Sequence, residues 1–413
     1  MKDNATLEFD VKKVREDFPI LKRKVRGGQN LVYLDSAASA LKPNSVIERM
    51  DYYYRNETSN VHRGAHFLSE QGTIAYEEAR SQVAEFIGAK TSSEIIFTRG
   101  TTESINLVAQ SFGRSVLKAG DEIILTELEH HSNIVPWQIV AKEKNCTIRV
   151  VPISDNGDLD YEAFLKLLNE KTKIVALTWC SNALGIANPI QKYIESAHRV
   201  GARVLVDAAQ AVSNRVTDVQ ALDCDFLVFS GHKIFGPYGI GVLYGKMELL
   251  ELMPPYQGGG SMIAEVRWEE TTWAEVPHKF EAGTPAIPEA IGLAAALQYV
   301  KTLDLKKIAA HEDLLLNFAT KEISEIPGIE IHGLSENKCA IVSFSADWAH
   351  ASDIGSLLDQ QGIAVRAGHH CCQPLMRRLG VPATVRASFS IYNTLEEVAF
   401  LRNGLLKAKE FFQ

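Results

Sequence analysis

A lysine set in a glycine-rich break between two apolar runs is where this chain first offers side chains of the right kind for covalent chemistry. Phe226 to Phe229 reads as a short buried strand; Ser230, Gly231, His232 and Lys233 interrupt it, and Ile240 to Tyr244 resumes after Gly236, Pro237 and Gly239. A lysine held there loses hydration, its pKa falls, and the neutral amine becomes a nucleophile or base of the kind that forms Schiff bases with carbonyl groups. The same window also suits a solvated lysine in a hairpin turn. Asp207 closes the strand-like run Val204 to Val206. A carboxylate one strand from a buried lysine matches the needs of pyridoxal phosphate, an acid for the ring nitrogen and an amine for the aldehyde. Without a cofactor, Asp207 would cap a helix entering at Ala208, Ala209 and Gln210.

Three further groups could serve the same site. The strand Ile95 to Phe97 feeds Arg99, Gly100, Thr101, Thr102 and Glu103 and then a helix, so free N–H groups and hydroxyls face an anion such as phosphate; a plain threonine cap is the other reading. His130, Asn182, Gln210, Ser230 and His232 follow strand ends and supply a ring, amides and hydroxyls. In the polar loop from Asn60 to His66, His62 and Arg63 could face a substrate, although a surface loop accounts for them equally. Cys371 and Cys372 follow His369 and His370, but four successive side chains converge poorly on one ion, so no metal site is expected. The remaining cysteines show no paired spacing, and no disulfide framework is expected.

These residues need elements to position them. Strand-like runs at Ile123 to Leu125, Ile148 to Val151, Ile174 to Thr178 and Val204 to Val206 alternate with helical stretches such as Pro189 to Val200, stopped by Gly201. That alternation predicts a largely parallel sheet with helices on both faces, and in such sheets ligands bind beyond the carboxyl ends of the strands. From about Ile291 the pattern changes to a smaller α+β unit. It has strands at Ala340 to Phe344, Ile363 to Arg366 and Val385 to Ser390, and helices at Ala351 to Gln361 and from Leu395.

Size and composition bound the function. The 413 residues, 46% hydrophobic and 23% charged, allow two or three ordinary globular domains. A formal net charge of −8 argues against nucleic acid or an anionic membrane as partner. Met1 to Asp10 has no apolar leader core and no apolar run is long enough to span a membrane, so a cytoplasmic protein acting on a small molecule is expected.

Taken together, YLDSAASA, VHRGAH, TRGTTESINLVA, EHHSNIVPW, SNALG, VDAAQAV, FSGHKIFGPYGIG, FEAGTP, VRAGHHC and RASFSIYNT occur in the order seen in one family. The chain resembles the class V, fold-type I pyridoxal phosphate enzymes and, more closely, the SufS-type cysteine desulfurases. The resemblance implies an α/β fold: a large cofactor-binding domain, 26–290, with a mostly parallel seven-stranded sheet, and a small domain, 1–25 with 291–413, carrying a catalytic cysteine loop. It implies that Lys233 is the Schiff-base lysine, Asp207 the ring-nitrogen partner, His130 the stacking ring and Gln210 a donor to the phenolic oxygen. Thr101, Thr102, Ser230 and His232 would hold the phosphate, with Thr284 reaching in from the second chain of a homodimer. Arg386, helped by Asn182, would clamp the substrate carboxylate, with Arg366, His62 and Arg63 also toward substrate. Cys371 would take sulfur from L-cysteine as a persulfide, leaving alanine, with His369, His370 and Arg366 favouring its thiolate. The short interval from Cys371 to Arg386 resembles the group whose ordered loop depends on a SufE or SufU type sulfur acceptor. Cys372 departs from the family, which commonly has alanine there.

Other readings are a selenocysteine lyase acting on L-selenocysteine, a class V aminotransferase, or a cofactor-bearing scaffold for sulfur carriers. Cys371 makes the aminotransferase less suitable.

Overall fold

The computed structural model describes residues 9–412. The reading of Met1 to Asp10 as leaderless therefore falls almost wholly outside the described residues. The larger sheet has seven strands, labelled in chain order: β1 Ile95–Thr98, β2 Glu122–Thr126, β3 Thr147–Val151, β4 Thr172–Thr178, β5 Arg203–Asp207, β6 Phe226–Ser230 and β7 Gly241–Gly245. Their spatial order is β1, β7, β6, β5, β4, β2, β3. Only β7 runs against its neighbours; β2 to β6 are mutually parallel.

The central strands read as continuous apolar runs because both faces are covered. Side chains alternate between two cores, as the pleat requires. Val175, Leu177, Val204, Val206, Leu227 and Phe229 pack into one core, while Ile174, Ala176, Leu205, Phe226 and Val228 pack into the other. Helix Phe67–Ile87 lies on the first core and ends at Gly88, whose φ of 70° closes the last turn where a side chain would be strained. Helix Ile287–Leu303 packs against it and against helix Asn44–Tyr52.

A second sheet is antiparallel and four-stranded: β8 Ile329–His332, β9 Ile341–Ala346, β10 Arg366–Gly368 and β11 Thr384–Ser388, in the order β8, β9, β11, β10. Helices Leu305–Ser324, Ala351–Gln360 and Leu395–Phe412 cover it around a third core, into which Val32 and Leu34 also pack. The single strand expected from Ile363 to Arg366 is divided. Ile363–Ala364 pairs with Val32–Tyr33, and Arg366–Gly368 leaves that pairing to join β11, because the chain must turn from one partner to the other.

Two of the cysteines, Cys180 and Cys339, meet side chain to side chain across a Cα separation of 6.9 Å. Sequence spacing hid this pair, because tertiary pairing of the segment after β4 with the one before β9 brings them together: Cys339 N–H donates to the Gly185 carbonyl and Ala187 N–H to that of Asn337. Among the described residues, no helix is long and apolar enough to cross a membrane.

Candidate active site

A cavity of about 180 Å³ opens where β4, β5 and β6 end, and its wall includes Thr101, Thr102, His130, Asn182, Asp207, Gln210, Ser230, His232, Lys233 and Arg366. Residues far apart in sequence meet here because every parallel strand delivers its carboxyl end to the same rim. Burial pushes the Lys233 amine below the usual lysine range, with Asp207 opposing. Burial likewise raises the Asp207 carboxyl, with Lys233 opposing; one of its oxygens accepts the Ala209 N–H at 3.0 Å.

On one side of this cavity, His130 is fixed by its own edge. Its Nδ1 accepts the Ser132 N–H at 3.1 Å and lies 2.9 Å from the Ser132 hydroxyl. Accepting at Nδ1 leaves the proton of the neutral ring on Nε2. Burial, aided by the charge of Lys233, pushes His130 down to about 3, so the ring is uncharged near neutrality. The neighbouring Glu129 anchors this loop: it is buried, accepts from Thr126, Asn133 and the Thr178 N–H, and burial pushes it up to about 8.

Next to His130, the Thr102 and Ser132 hydroxyls meet at 2.7 Å, and the Ser230 hydroxyl accepts the Thr101 N–H at 2.8 Å. The first-turn N–H groups of Thr101–Leu107 lack acceptors within the helix, so this corner is rich in donors. Its closeness depends on Gly241: a Cβ there would lie 2.4 Å from the Cα of Gly100. Amine, carboxylate, flat ring and donor-rich turn line one cavity, which fits pyridoxal phosphate.

The cysteine loop, 369–372, lies between β10 and helix Gln373–Leu379 and is tied at several points. Asn182 Nδ2 donates to the His370 carbonyl at 2.8 Å, His131 N–H to that of Cys371 at 2.8 Å, and Gln373 N–H to His131 Nε2 at 3.0 Å. His370 and Cys371 both adopt positive φ, 51° and 57°, a conformation costing about 1–2 kcal/mol each. The two thiols consequently diverge. Cys371 is partly exposed, its Sγ 3.8 Å from Nη2 of Arg366; Cys372 is buried, its Sγ 3.2 Å from Asn182 Oδ1. Burial raises the Cys372 thiol to about 12, so it stays protonated and donates.

His370 departs from its expected place beside the thiol. Its ring turns inward to Thr384 Oγ1 at 2.9 Å, and burial pushes it down to about 3, so it carries no charge toward Cys371. Arg386 is wholly buried, donating to the Asn182 carbonyl at 2.7 Å and to Asp35 at 2.9 Å, while its Nε has no partner. Thr284 is exposed and lines a different cavity, beside Phe97 and Glu281. His62 and Arg63 are also exposed and lie outside the Lys233 cavity; His62 pairs with Glu77 at 2.9 Å. Ser132 and Asp35 fall inside EHHSNIVPW and YLDSAASA, but neither was expected to fix His130 or to pair with Arg386.

The family Aminotransferase class-V matches residues 32–401. A cysteine desulfurase of Dickeya dadantii (strain 3937) is 51% identical over 398 residues, covering 96% of this chain and 96% of that protein. A cysteine desulfurase of Synechococcus elongatus is 52% identical over 393 residues, 95% of this chain, and this chain spans 63% of that relative's length. The solved structure of the Escherichia coli cysteine desulfurase CsdA (S-sulfonic acid) is similar with a TM-score of 0.92 at 40% identity, covering 98% of this chain and 100% of that one.

Proposed function

This chain belongs to the class V aminotransferase family and within it to the cysteine desulfurases, and from that premise we propose that it converts L-cysteine to L-alanine while keeping the sulfur as a persulfide on Cys371. The observation that most directly supports this reading is the 3.8 Å contact between Cys371 Sγ and Arg366, a wall residue of the cavity that also holds Lys233. Its cofactor is pyridoxal phosphate, which when bound supplies an electron sink for bond changes at the substrate's Cα and Cβ.

The chain's own groups supply the rest. In this reading Lys233 would hold the cofactor and, once free, its amine would take the Cα proton. Asp207 would pair with the ring nitrogen, Gln210 would donate to the phenolic oxygen, and His130 would serve as a neutral platform for the ring. Thr101, Thr102, Ser230 and His232 would hold the phosphate, with Thr284 of a second copy completing a homodimeric site. Arg386, Asn182 and Arg366 would orient the substrate carboxylate, a task that His62 and Arg63, outside this cavity, do not share. The Cys371 thiolate attacks the substrate sulfur, so an S–S bond forms as the C–S bond breaks. The electron pair and a proton end on Cβ of alanine.

The reading treats 26–290 as the cofactor-binding body and 1–25 with 291–413 as the body that brings the cysteine loop. A SufS-type role in the cytoplasm belongs to the same proposal. The persulfide passes to a SufE or SufU type acceptor for iron–sulfur cluster assembly, and selenocysteine is turned over as a side activity. The test measures alanine and sulfide from cysteine, with and without such an acceptor. Cofactor-loaded protein that forms no alanine under either condition would sink the proposal.

A further inference from the structure

The active-site cavity continues behind Lys233. A second cavity of about 30 Å³ shares Ala37, Gln210 and Lys233 with it and reaches Asn214 and Glu312. A third, of about 190 Å³, shares Asn214, Glu312, Cys339 and Ala340 with the second and reaches the exposed residues Asp313 and Glu336. Walls shared in succession lead from Lys233 to those exposed residues, and neither His130 nor Arg366 borders the second or the third cavity.

The passage has the chemistry of a wet one. The narrow middle part has room for about two waters. Asn214 Oδ1 and Arg215 Nε are buried without any partner, and groups of this kind are ordinarily satisfied by water. Glu312 is buried with its Oε2 2.9 Å from Asn214 Nδ2, and burial pushes it up to about 8, so it can both take and give a proton near neutrality.

We propose that a file of water through this passage, relayed by Glu312, exchanges protons between the Lys233 amine and bulk solvent along a route separate from the substrate's. Only the source of the proton rests on the desulfurase reading. The Cα–H bond breaks and an N–H bond forms on Lys233; that proton passes to water, through the Glu312 carboxylate, and out. A solvent proton returns the same way, so charge and electrons balance without an oxidant or reductant. Glu312 acts through water and Lys233 and is therefore a positioning residue.

The test has two arms. The first is a neutron or atomic-resolution crystal structure of the cofactor-loaded enzyme, in which ordered waters should join Lys233, Asn214 and Glu312. The second feeds cysteine deuterated at Cα in ordinary water and measures deuterium retained in the alanine. The unmodified enzyme should wash the label out, and Glu312→Gln should raise retention several-fold. Ala340→Val, which narrows the junction of the second and third cavities without removing a hydrogen bond, should do the same if the first variant folds poorly. A dry passage, or retention indifferent to both variants, would overturn the proposal. If no alanine is formed, the desulfurase reading fails, and the water arm still decides the passage.

Discussion

The Sγ of Cys372 lies 3.2 Å from the Oδ1 of Asn182, and Asn182 in turn donates to the His370 carbonyl at 2.8 Å. One side-chain amide thereby fastens both flanks of Cys371. The thiol beside Cys371 is occupied as a hydrogen-bond donor and is directed into the protein.

This arrangement separates the two cysteines experimentally. Cys371→Ala should still bind cofactor and cysteine yet form no persulfide and little alanine. Cys372→Ala loses one hydrogen bond, worth about 1 kcal/mol, and should retain activity within roughly tenfold. Alkylation of the persulfide followed by peptide mass analysis reads the result; sulfur found on Cys372, with Cys371→Ala still active on cysteine, would reverse the assignment.

Lys233 should be the covalent anchor of the cofactor. Borohydride treatment of the purified protein should fix pyridoxal phosphate to the peptide containing Lys233, and Lys233→Ala should show no reducible linkage and lose its visible absorbance. A reduced adduct on another lysine of that variant would contradict this.

The buried titrating groups predict a shape for stability against pH in the cofactor-free chain. His130, His370 and His232 fall from 6.5 to about 3, 3 and 4, so the unfolded chain binds more protons than the native one in that window, and stability falls as pH drops through it. Glu129 and Glu312 rise from 4.5 to about 8, so the native chain binds more protons there, and stability falls as pH rises toward 8. Above pH 6.5 the three histidines add nothing to the slope, which places the maximum near that value, and the fall is opposed as pH nears 8 by Lys42 and Lys338, whose amines burial pushes down to about 8. Thermal melts should show the alkaline fall, and Glu129→Gln should flatten it; an unchanged slope would refute the role given to Glu129.

Gly241 should be intolerant of a side chain. Its Cβ would collide with backbone of Gly100, which cannot swing aside as a side chain can. Gly241→Ala should cost about 1–3 kcal/mol and displace the turn that meets Ser230, lowering cofactor retention after dialysis. Retention equal to that of the unmodified protein would show that the turn does not hold the phosphate.

Much was written in the sequence. The parallel strands announced themselves as β-branched runs ending in polar residues. Because such strands share a direction, Asp207, Ser230 and Lys233 had to meet at one rim, and local patterning was enough to say so. Other relationships depended on three-dimensional packing between segments far apart in the chain. Cys180 and Cys339 meet only because the segment after β4 pairs with the one before β9. The inward turn of His370 and the division of labour between Cys371 and Cys372 follow from two successive positive φ angles. Those angles persist because contacts from His131 and Asn182, on the other sheet's rim, over-determine the loop. Periodicity records which face a residue presents to its own element, whereas backbone strain, shared cavities and pairings between distant segments exist only once both partners are in place.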